Sequence, residues 1–326
     1  MITVLGAGSI GCYVGGMLAA AGHPVTLIGR PALVEALGGG LTTSAMDGVA
    51  HRSQPIVTDD PSALADATLI LLCVKSADTR DSGTLIKTYS PPGALVVSLQ
   101  NGITNPKLLG DRLGPDRVVP GMVGFNVIRR AQDHFAQTTE GEVILAKNGA
   151  TLRDHLSDTP ITALCHDNME GVQWSKLLMN LNNALNALSG LGLRDQLQTR
   201  AWRQVLAACI KEGLAVARAE GIALERIGKV HPRILPIVLR LPDFIFQRFA
   251  NAMLRVDPTA RSSMADDYAA GRAPEVAWLN GHIVARGAVH GVLTPVNQRV
   301  CALVERAFDT SDRRPLSYNP QEIFIN

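Results

Sequence analysis

Aromatic residues make up only 4% of the 326-residue chain, and neither sign of charge prevails: 31 Lys and Arg face 29 Asp and Glu, a formal charge of +2. That balance leaves no broad electrostatic footprint for nucleic acid or an anionic membrane. Cysteines are few and scattered. Cys12, Cys73, Cys165, Cys209 and Cys301 are odd in number, form no C-x-x-C pair and do not cluster with the eight histidines. This argues against a disulfide framework or a zinc site and leads to the expectation of a reduced, cytoplasmic compartment with no metal. Long hydrophobic runs are missing as well. The most apolar stretch, Ile234 to Leu254, is interrupted by Pro236, Arg240, Pro242, Asp243 and Arg248, too polar for a membrane span. The run Met1 to Leu5 breaks at Gly6-Ala7-Gly8 with no basic region ahead of it, so no signal peptide is expected.

What is abundant is apolar: 46% of residues, enough to bury a core in each of two ordinary domains. In the first half, Ile2 to Leu5, Val25 to Ile28, Leu69 to Val74, Leu95 to Leu99 and Val118 to Met122 are continuous apolar runs of strand length. Strands apolar on both faces belong in a parallel sheet covered by helices on each side. The more polar segment Gly124 to Leu145 is read as extra strands at the sheet's edge. After about Gly171 the pattern turns helical, with helices expected over Val172 to Leu188, Arg200 to Glu220, Arg248 to Leu254, Glu275 to Val289 and Pro295 to Phe308. Pro274 and Pro295 suit first helical positions, Thr294 a cap and Gly291 a terminus. The fold class is therefore α/β: a Rossmann-type doubly wound domain over residues 1–170, followed by an all-helical domain over 171–326. The tail from Asp309 reads as a loosely held terminus. For Ile234 to Leu254 two readings stand, a pair of short amphipathic helices packed on their own domain and a contact between two copies of the chain in a homodimer.

Gly6-Ala7-Gly8-Ser9-Ile10-Gly11 fits G-x-G-x-x-G between the first strand and an amphipathic helix. The first glycine permits a tight turn, the second lets backbone approach a pyrophosphate, and the third allows close packing of strand and helix. The alternative, a glycine turn without a ligand, is weakened by this placement at the first strand–helix–strand unit. The second strand ends in Gly29-Arg30, where an NAD site places an acid for the ribose 2′-hydroxyl. A guanidinium there suits a 2′-phosphate, so NADP(H) is the expected cofactor, unless Arg30 is merely a solvated loop residue. Lys75-Ser76 and Gln100-Asn101-Gly102 follow two further strands, and ligands of such folds bind beyond the carboxyl ends of the strands. Lys75 suits an anion and Asn101 the nicotinamide ribose or the substrate, although Asn-Gly is also a common turn dipeptide.

Between Trp174 and Leu188, Trp174, Leu177, Leu178, Leu181, Leu185 and Leu188 form one apolar face, while Lys176, Asn180 and Asn183 line the opposite one. Four asparagines within seven residues weaken a helix. A hydrogen-bonding ligand would account for them; a solvated stripe is the bland alternative. A lysine on such a stripe suits ketone reduction, because its ammonium can stabilise the developing oxyanion and supply the proton. Glu275 is a candidate carboxylate partner for it, or simply an acid at a helix start.

These residues together resemble the ketopantoate reductase (2-dehydropantoate 2-reductase) family over nearly the whole length. The resemblance is carried by Gly6 to Gly11 with Arg30, Val74-Lys75, Leu99 to Gly102, Trp174-Ser175-Lys176-Leu177 with Asn180, Ser262-Ser263-Met264 with Asp267, and Glu275 before Leu279-Asn280-Gly281. It implies NADPH-dependent reduction of 2-dehydropantoate to (R)-pantoate, on the route to pantothenate and coenzyme A, with the helical domain closing over the cofactor domain. It further implies Lys176 as general acid, Glu275 as its partner, and Asn101, Asn180 and Ser263 as substrate or cofactor contacts. Three departures fall on the substrate side. Ala184 stands where a second asparagine is expected, with Asn183 next to it as a substitute; Arg194 stands near another expected asparagine; and the segment from about Glu225 to Thr259 is long for the family. They leave open another branched or bulkier 2-oxo acid as substrate. A non-catalytic dinucleotide sensor, which needs neither Lys176 nor Glu275, is the rival from a different class.

Overall fold

Apolar runs with two buried faces form the middle of a parallel sheet in the computed structural model of the chain, which describes residues 1–228, 231–250, 260–310 and 314–324. The chain divides into two compact units, Met1–Met169 and Glu170–Asn326. In the first, the strands are β1 (Ile2–Leu5), β2 (Val25–Ile28), β3 (Leu41–Ser44), β4 (Ala50–Ser53), β5 (Ile56–Thr58), β6 (Leu69–Leu72), β7 (Leu95–Ser98), β8 (Val118–Val123), β9 (Val127–Ala131), β10 (His134–Gln137), β11 (Val143–Ala146) and β12 (Ala163–His166). Its helices are α1 (Ser9–Ala20), α2 (Pro31–Leu37), α3 (Thr79–Tyr89), α4 (Asn105–Leu113) and α5 (Ala150–Leu156).

Eight strands make the main sheet in the order β12-β11-β8-β7-β6-β1-β2-β5. From β1 the chain winds outward through β2 and β5, then crosses back to β6, β7 and β8 on the other side, all parallel to their neighbours. This reversal of winding direction lies between β1 and β6, the kind of point at which open α/β sheets take their ligands. Every residue of β1, β2 and β6 is buried. Val4, Leu27 and Leu71 pack with Cys12, Val14 and Leu18 of α1, whereas Leu5, Ile28, Ile70 and Leu72 pack with Ile86 of α3 and Leu109 of α4. The two faces of one strand thus serve two cores.

The segment Gly124 to Leu145 departs from the expected edge. Only β11 joins the main sheet, antiparallel to β8 and inside β12; β9 and β10 enter a second, four-stranded sheet ordered β4-β3-β10-β9. That sheet lies against α1, where a Cβ on Gly16 would sit 2.6 Å from Leu41 Cδ1 and 2.7 Å from Thr43 Cγ2. Its strands, Leu-Thr-Thr-Ser, Ala-His-Arg-Ser, Val-Ile-Arg-Arg-Ala and His-Phe-Ala-Gln, are short and rich in polar residues and carry no continuous apolar run.

The second unit holds α6 (Met169–Asn180, which starts at the boundary), α7 (Asn182–Ser189), α8 (Leu193–Gln198), α9 (Arg200–Ala219), α10 (Leu235–Arg240), α11 (Asp243–Ala250), α12 (Ser263–Ala269), α13 (Asn280–His290) and α14 (Pro295–Phe308), with no strand among its described residues. The helix expected over Val172 to Leu188 is broken at Leu181 into α6 and α7. Asparagine is a poor helix former, and Asn182 and Asn186 bond outward to Gln196 instead: Gln196 Nε2 donates to Asn182 Oδ1 at 2.8 Å and Asn186 Nδ2 to Gln196 Oε1 at 3.2 Å. Gly213 lets α9 approach α6 and α13, since a Cβ there would lie 2.4 Å from Leu178 Cδ2 and 3.4 Å from Ile283 Cδ1. Residues 275–289 form a short 3-10 turn, Val276–Trp278, and then α13, which ends on Gly291 at φ 65. α14 starts at Pro295 as expected, but Thr294 does not cap it with its side chain. Glu212 of α9 does so, accepting from the backbone N–H of Val296 (2.9 Å) and Asn297 (3.0 Å).

The segment Ile234 to Leu254 forms the short helices α10 and α11 as far as residue 250; residues 251–259 lie outside the described ones. Both are clasped to α9 by the buried Arg203, whose guanidinium donates to Leu239 O, Leu241 O, Leu197 O, Gln198 O and Asp243 Oδ1 and lies 4.0 Å from the centre of the Phe246 ring. The tail is not loosely held over residues 314–324. Tyr318 N donates to Leu188 O at 3.1 Å, Ile323 is 3% exposed, and Leu316 O occupies the space a side chain on Gly190 would need. Residues 311–313, including Arg313, are not among those described. No helix of the described residues is long and apolar enough to cross a membrane.

Candidate active site

The glycine turn joins β1 to α1 at the switch point, and each glycine meets its own constraint. Gly6 has φ 98, and a Cβ on it would lie 2.5 Å from Val74 N. Gly11 packs under the turn, where a Cβ would meet Gly6 O at 2.5 Å and Val4 Cγ1 at 2.9 Å. Gly8 differs: nothing lies within 4 Å of its Cβ position. It is the N-cap of α1, and no side chain caps the helix there. Exposed backbone with open space before a helix amino terminus is the cradle a pyrophosphate requires. Ala7, Ser9 and Ile10 complete the turn. The residues fit a dinucleotide.

At the end of β2, the Cβ direction of Gly29 points at Leu33 Cδ2 (2.7 Å) and Ala7 Cβ (3.1 Å), so a side chain there would have to displace Leu33. Arg30 follows, exposed, at the N-cap of α2. Lys75 is the residue after β6's loop and precedes the 3-10 turn Ser76–Asp78; Asn101 follows β7. The two loops are stitched together by buried side chains of which Thr79 and Asn105 carry no recognisable sequence signal. Asn105 Nδ2 donates to Asn101 O at 2.7 Å and to Ser76 Oγ at 3.1 Å, and Gln100 Nε2 donates to Thr79 Oγ1 at 2.8 Å. The Asn105–Ser76 and Gln100–Thr79 partners are 29 and 21 residues apart, beyond the reach of local pattern reading.

In the helical unit Lys176 lies on α6, half-buried, one turn before the buried Asn180. Burial pushes its ammonium from 10.5 down to about 8, and no neighbouring charge contributes. A lysine near neutrality is suited to proton transfer at physiological pH. Of the four asparagines, Asn182 and Asn186 spend their side chains on internal bonds, which sets them apart from the expected ligand-facing stripe of Lys176, Asn180 and Asn183. Ser263 is the exposed first residue of α12, and its neighbour Ser262 does the capping: Ser262 Oγ accepts from Ala265 N and donates to Asn183 O at 2.9 Å. The start of α12 is thereby fastened beside Asn183.

Glu275 is 6% exposed and opens the turn Val276–Trp278. α6 and the start of α13 meet through Trp174 and His282, whose rings are 5.6 Å apart, edge to face. Burial lowers the His282 pKa. No His, Cys, Asp or Glu cluster among the described residues is fit to hold a metal. A surface cavity of about 510 Å³ between α9 and α10, with Lys211, Arg233 and Ile237 in its wall, includes none of the expected site residues.

A doubly wound sheet with this turn at its switch point, followed by a helical unit that carries a half-buried lysine, defines a nicotinamide-dependent oxidoreductase. The particular family follows from comparison with known proteins. Residues 2–149 match the family described as ketopantoate reductase PanE/ApbA, and residues 168–307 match its C-terminal part. The chain belongs to the ketopantoate reductase family. A 2-dehydropantoate 2-reductase of Caulobacter vibrioides is 30% identical over 309 residues, 94% of this chain and 98% of that one. That of Halobacterium salinarum is 28% identical over 320 residues, with the same coverage. The crystal structure of a PanE/ApbA family ketopantoate reductase from Ralstonia eutropha JMP134 is 33% identical, with a TM-score of 0.81 over 94% of this chain and 98% of that one. D-mandelate dehydrogenase in a ternary structure with NADH and anilino(oxo)acetate has a TM-score of 0.80 at 22% identity and likewise covers 94% and 98%, a likeness of fold alone.

Proposed function

We propose that the chain reduces 2-dehydropantoate to (R)-pantoate with NADPH, with Lys176 as the general acid. The observation that carries the reading is the half-buried Lys176, brought to about 8 by desolvation, one turn from Asn180 in a member of this family. Bound NADPH supplies a hydride to the keto carbon. As negative charge develops on the keto oxygen, the Lys176 ammonium donates a hydrogen bond to it and then its proton, which solvent replaces. Near pH 7 the ammonium form still dominates, yet its proton is released far more readily than that of an ordinary lysine. Glu275 is assigned as the partner that orients this amine in the substrate complex, and Asn101, Asn180, Asn183 and Ser263 as contacts to the substrate and cofactor. The backbone of Gly6 to Gly11 is assigned to the pyrophosphate, with Lys75 beside it. Arg30, which follows Gly29 where an NAD site carries an acid, supports NADP(H) over NAD(H). A homodimer is part of the reading, supported by Ile237 and Phe244, which stay exposed on α10 and α11.

The test is absorbance of the reduced nicotinamide during incubation with a panel of 2-oxo acids. The expected outcome is the highest kcat/KM with 2-dehydropantoate and NADPH. A higher value with another branched or an aromatic 2-oxo acid overturns the substrate, and equal rates with NADH overturn the cofactor. Binding of NADPH without consumption by any acid makes the chain a sensor.

A further inference from the structure

We infer that Asn105, with Thr79, is a positioning residue for the dinucleotide site: it sets the geometry of Lys75 and Asn101 without meeting the ligand. The inference rests on the reading above that Lys75 and Asn101 serve the cofactor.

Ser76, Thr79, Ser98, Gln100 and Asn105 are at most 7% exposed, and Asn105 itself 1%, so it offers a ligand no surface. Their protons are spent on one another and on loop carbonyls. Asn105 uses both amide protons on Asn101 O and Ser76 Oγ. Gln100 uses both of its own on Val74 O (3.2 Å) and Thr79 Oγ1 (2.8 Å). The Thr79 hydroxyl lies 2.9 Å from Ser76 O and 3.0 Å from Asn105 Oδ1, the Ser98 hydroxyl donates to Gln100 Oε1 (3.1 Å), and the Ser76 hydroxyl donates to Asn101 O (3.1 Å). The carbonyls on either side of Lys75, those of Val74 and Ser76, are therefore both turned into the network, as is that of Asn101. Gly102, at φ 88, lets the chain leave directly after this pinned peptide. An apolar core at this place would serve stability as well as five polar side chains do. What a closed polar circuit adds is a single permitted orientation for the peptides it holds. Those peptides carry Lys75 and Asn101.

The experiment is an NADPH titration of the full chain, followed by nicotinamide fluorescence, for Asn105→Leu, Thr79→Val, Thr79→Ser, Lys75→Ala, Asn101→Ala and the doubles that combine Asn105→Leu with each alanine. Melting temperatures are recorded alongside. Asn105→Leu and Thr79→Val should each weaken NADPH binding about tenfold, and Thr79→Ser, which keeps the hydroxyl, should restore it. In the doubles the losses should fall well short of multiplying, because the second change removes what the first has already misplaced. Lowered melting with unchanged NADPH affinity, or losses that multiply fully, overturns the inference. Unchanged affinity in both Lys75→Ala and Asn101→Ala overturns the cofactor reading itself, a separate result. Thr79→Val keeps the test decisive if Asn105→Leu fails to fold.

Discussion

Replacing Lys176 with methionine should make the protein more stable while it destroys turnover. The drop of the Lys176 ammonium from 10.5 to about 8 corresponds to roughly 3 kcal/mol of burial penalty at neutral pH. Because the side chain keeps some contact with water, about 1–2 kcal/mol is the gain to expect from an apolar side chain of similar length. The sign follows from proton binding. Between about 8 and 10.5 the unfolded lysine holds a proton that the folded one has lost, so stability from this group rises with pH. The penalty is complete below pH 8 and fades above it. The advantage of Lys176→Met should therefore be full at pH 7 and largely gone by pH 10. All three tryptophans, Trp174, Trp202 and Trp278, lie in the helical unit, so urea unfolding followed by their fluorescence reports on the half that contains Lys176. Turnover should fall by roughly 10²- to 10⁴-fold while NADPH still binds. A methionine variant less stable than wild type at pH 7, or a stability difference that ignores pH, would refute burial as the origin of the shift.

Other positions separate binding from folding. Gly8→Val places its Cβ in open space, so the fold should persist while NADPH affinity, read by fluorescence, drops at least tenfold; Gly11→Val, facing Gly6 O at 2.5 Å, should lower the melting temperature as well. Arg30→Ala should cut kcat/KM for NADPH by roughly ten- to a hundredfold and leave that for NADH nearly unchanged, in steady-state assays with each cofactor. Arg203→Met strands the carbonyls of Leu239 and Leu241 and should cost about 2–4 kcal/mol in tryptophan-monitored unfolding.

Where a residue's role depends on near neighbours in the chain, the sequence alone was informative. The buried strands β1, β2 and β6 announce themselves because both faces are apolar, and Gly6, Gly8 and Gly11 because a turn, an open approach and a tight contact each demand glycine. α14 begins at Pro295 and α13 stops at Gly291 for equally local reasons. The second sheet was hidden. Its β3 and β10 pair in parallel from segments some ninety residues apart, and their polar residues, Thr42, Thr43, Ser44, His134 and Gln137, deny them a strong apolar signature. The asparagines of α7 show the same limit. Composition marks their helical weakness, but only the fold reveals that Gln196 and Leu191 O take up Asn182 and Asn186. Glu212 capping α14 and the tail docked at Leu188 are likewise long-range contacts. Lys176 could be chosen from chemistry, whereas the desolvation that tunes it depends on packing.

The pH dependence of kcat/KM for 2-dehydropantoate and NADPH, in wild-type protein, bears most directly on the role of that lysine, because this ratio reports the ionisations of the free enzyme and its free reactants. With Lys176 as the proton donor, the profile bends downward at an apparent pKa near 8 and continues to fall tenfold per pH unit. A profile that stays level to pH 9.5 contradicts it.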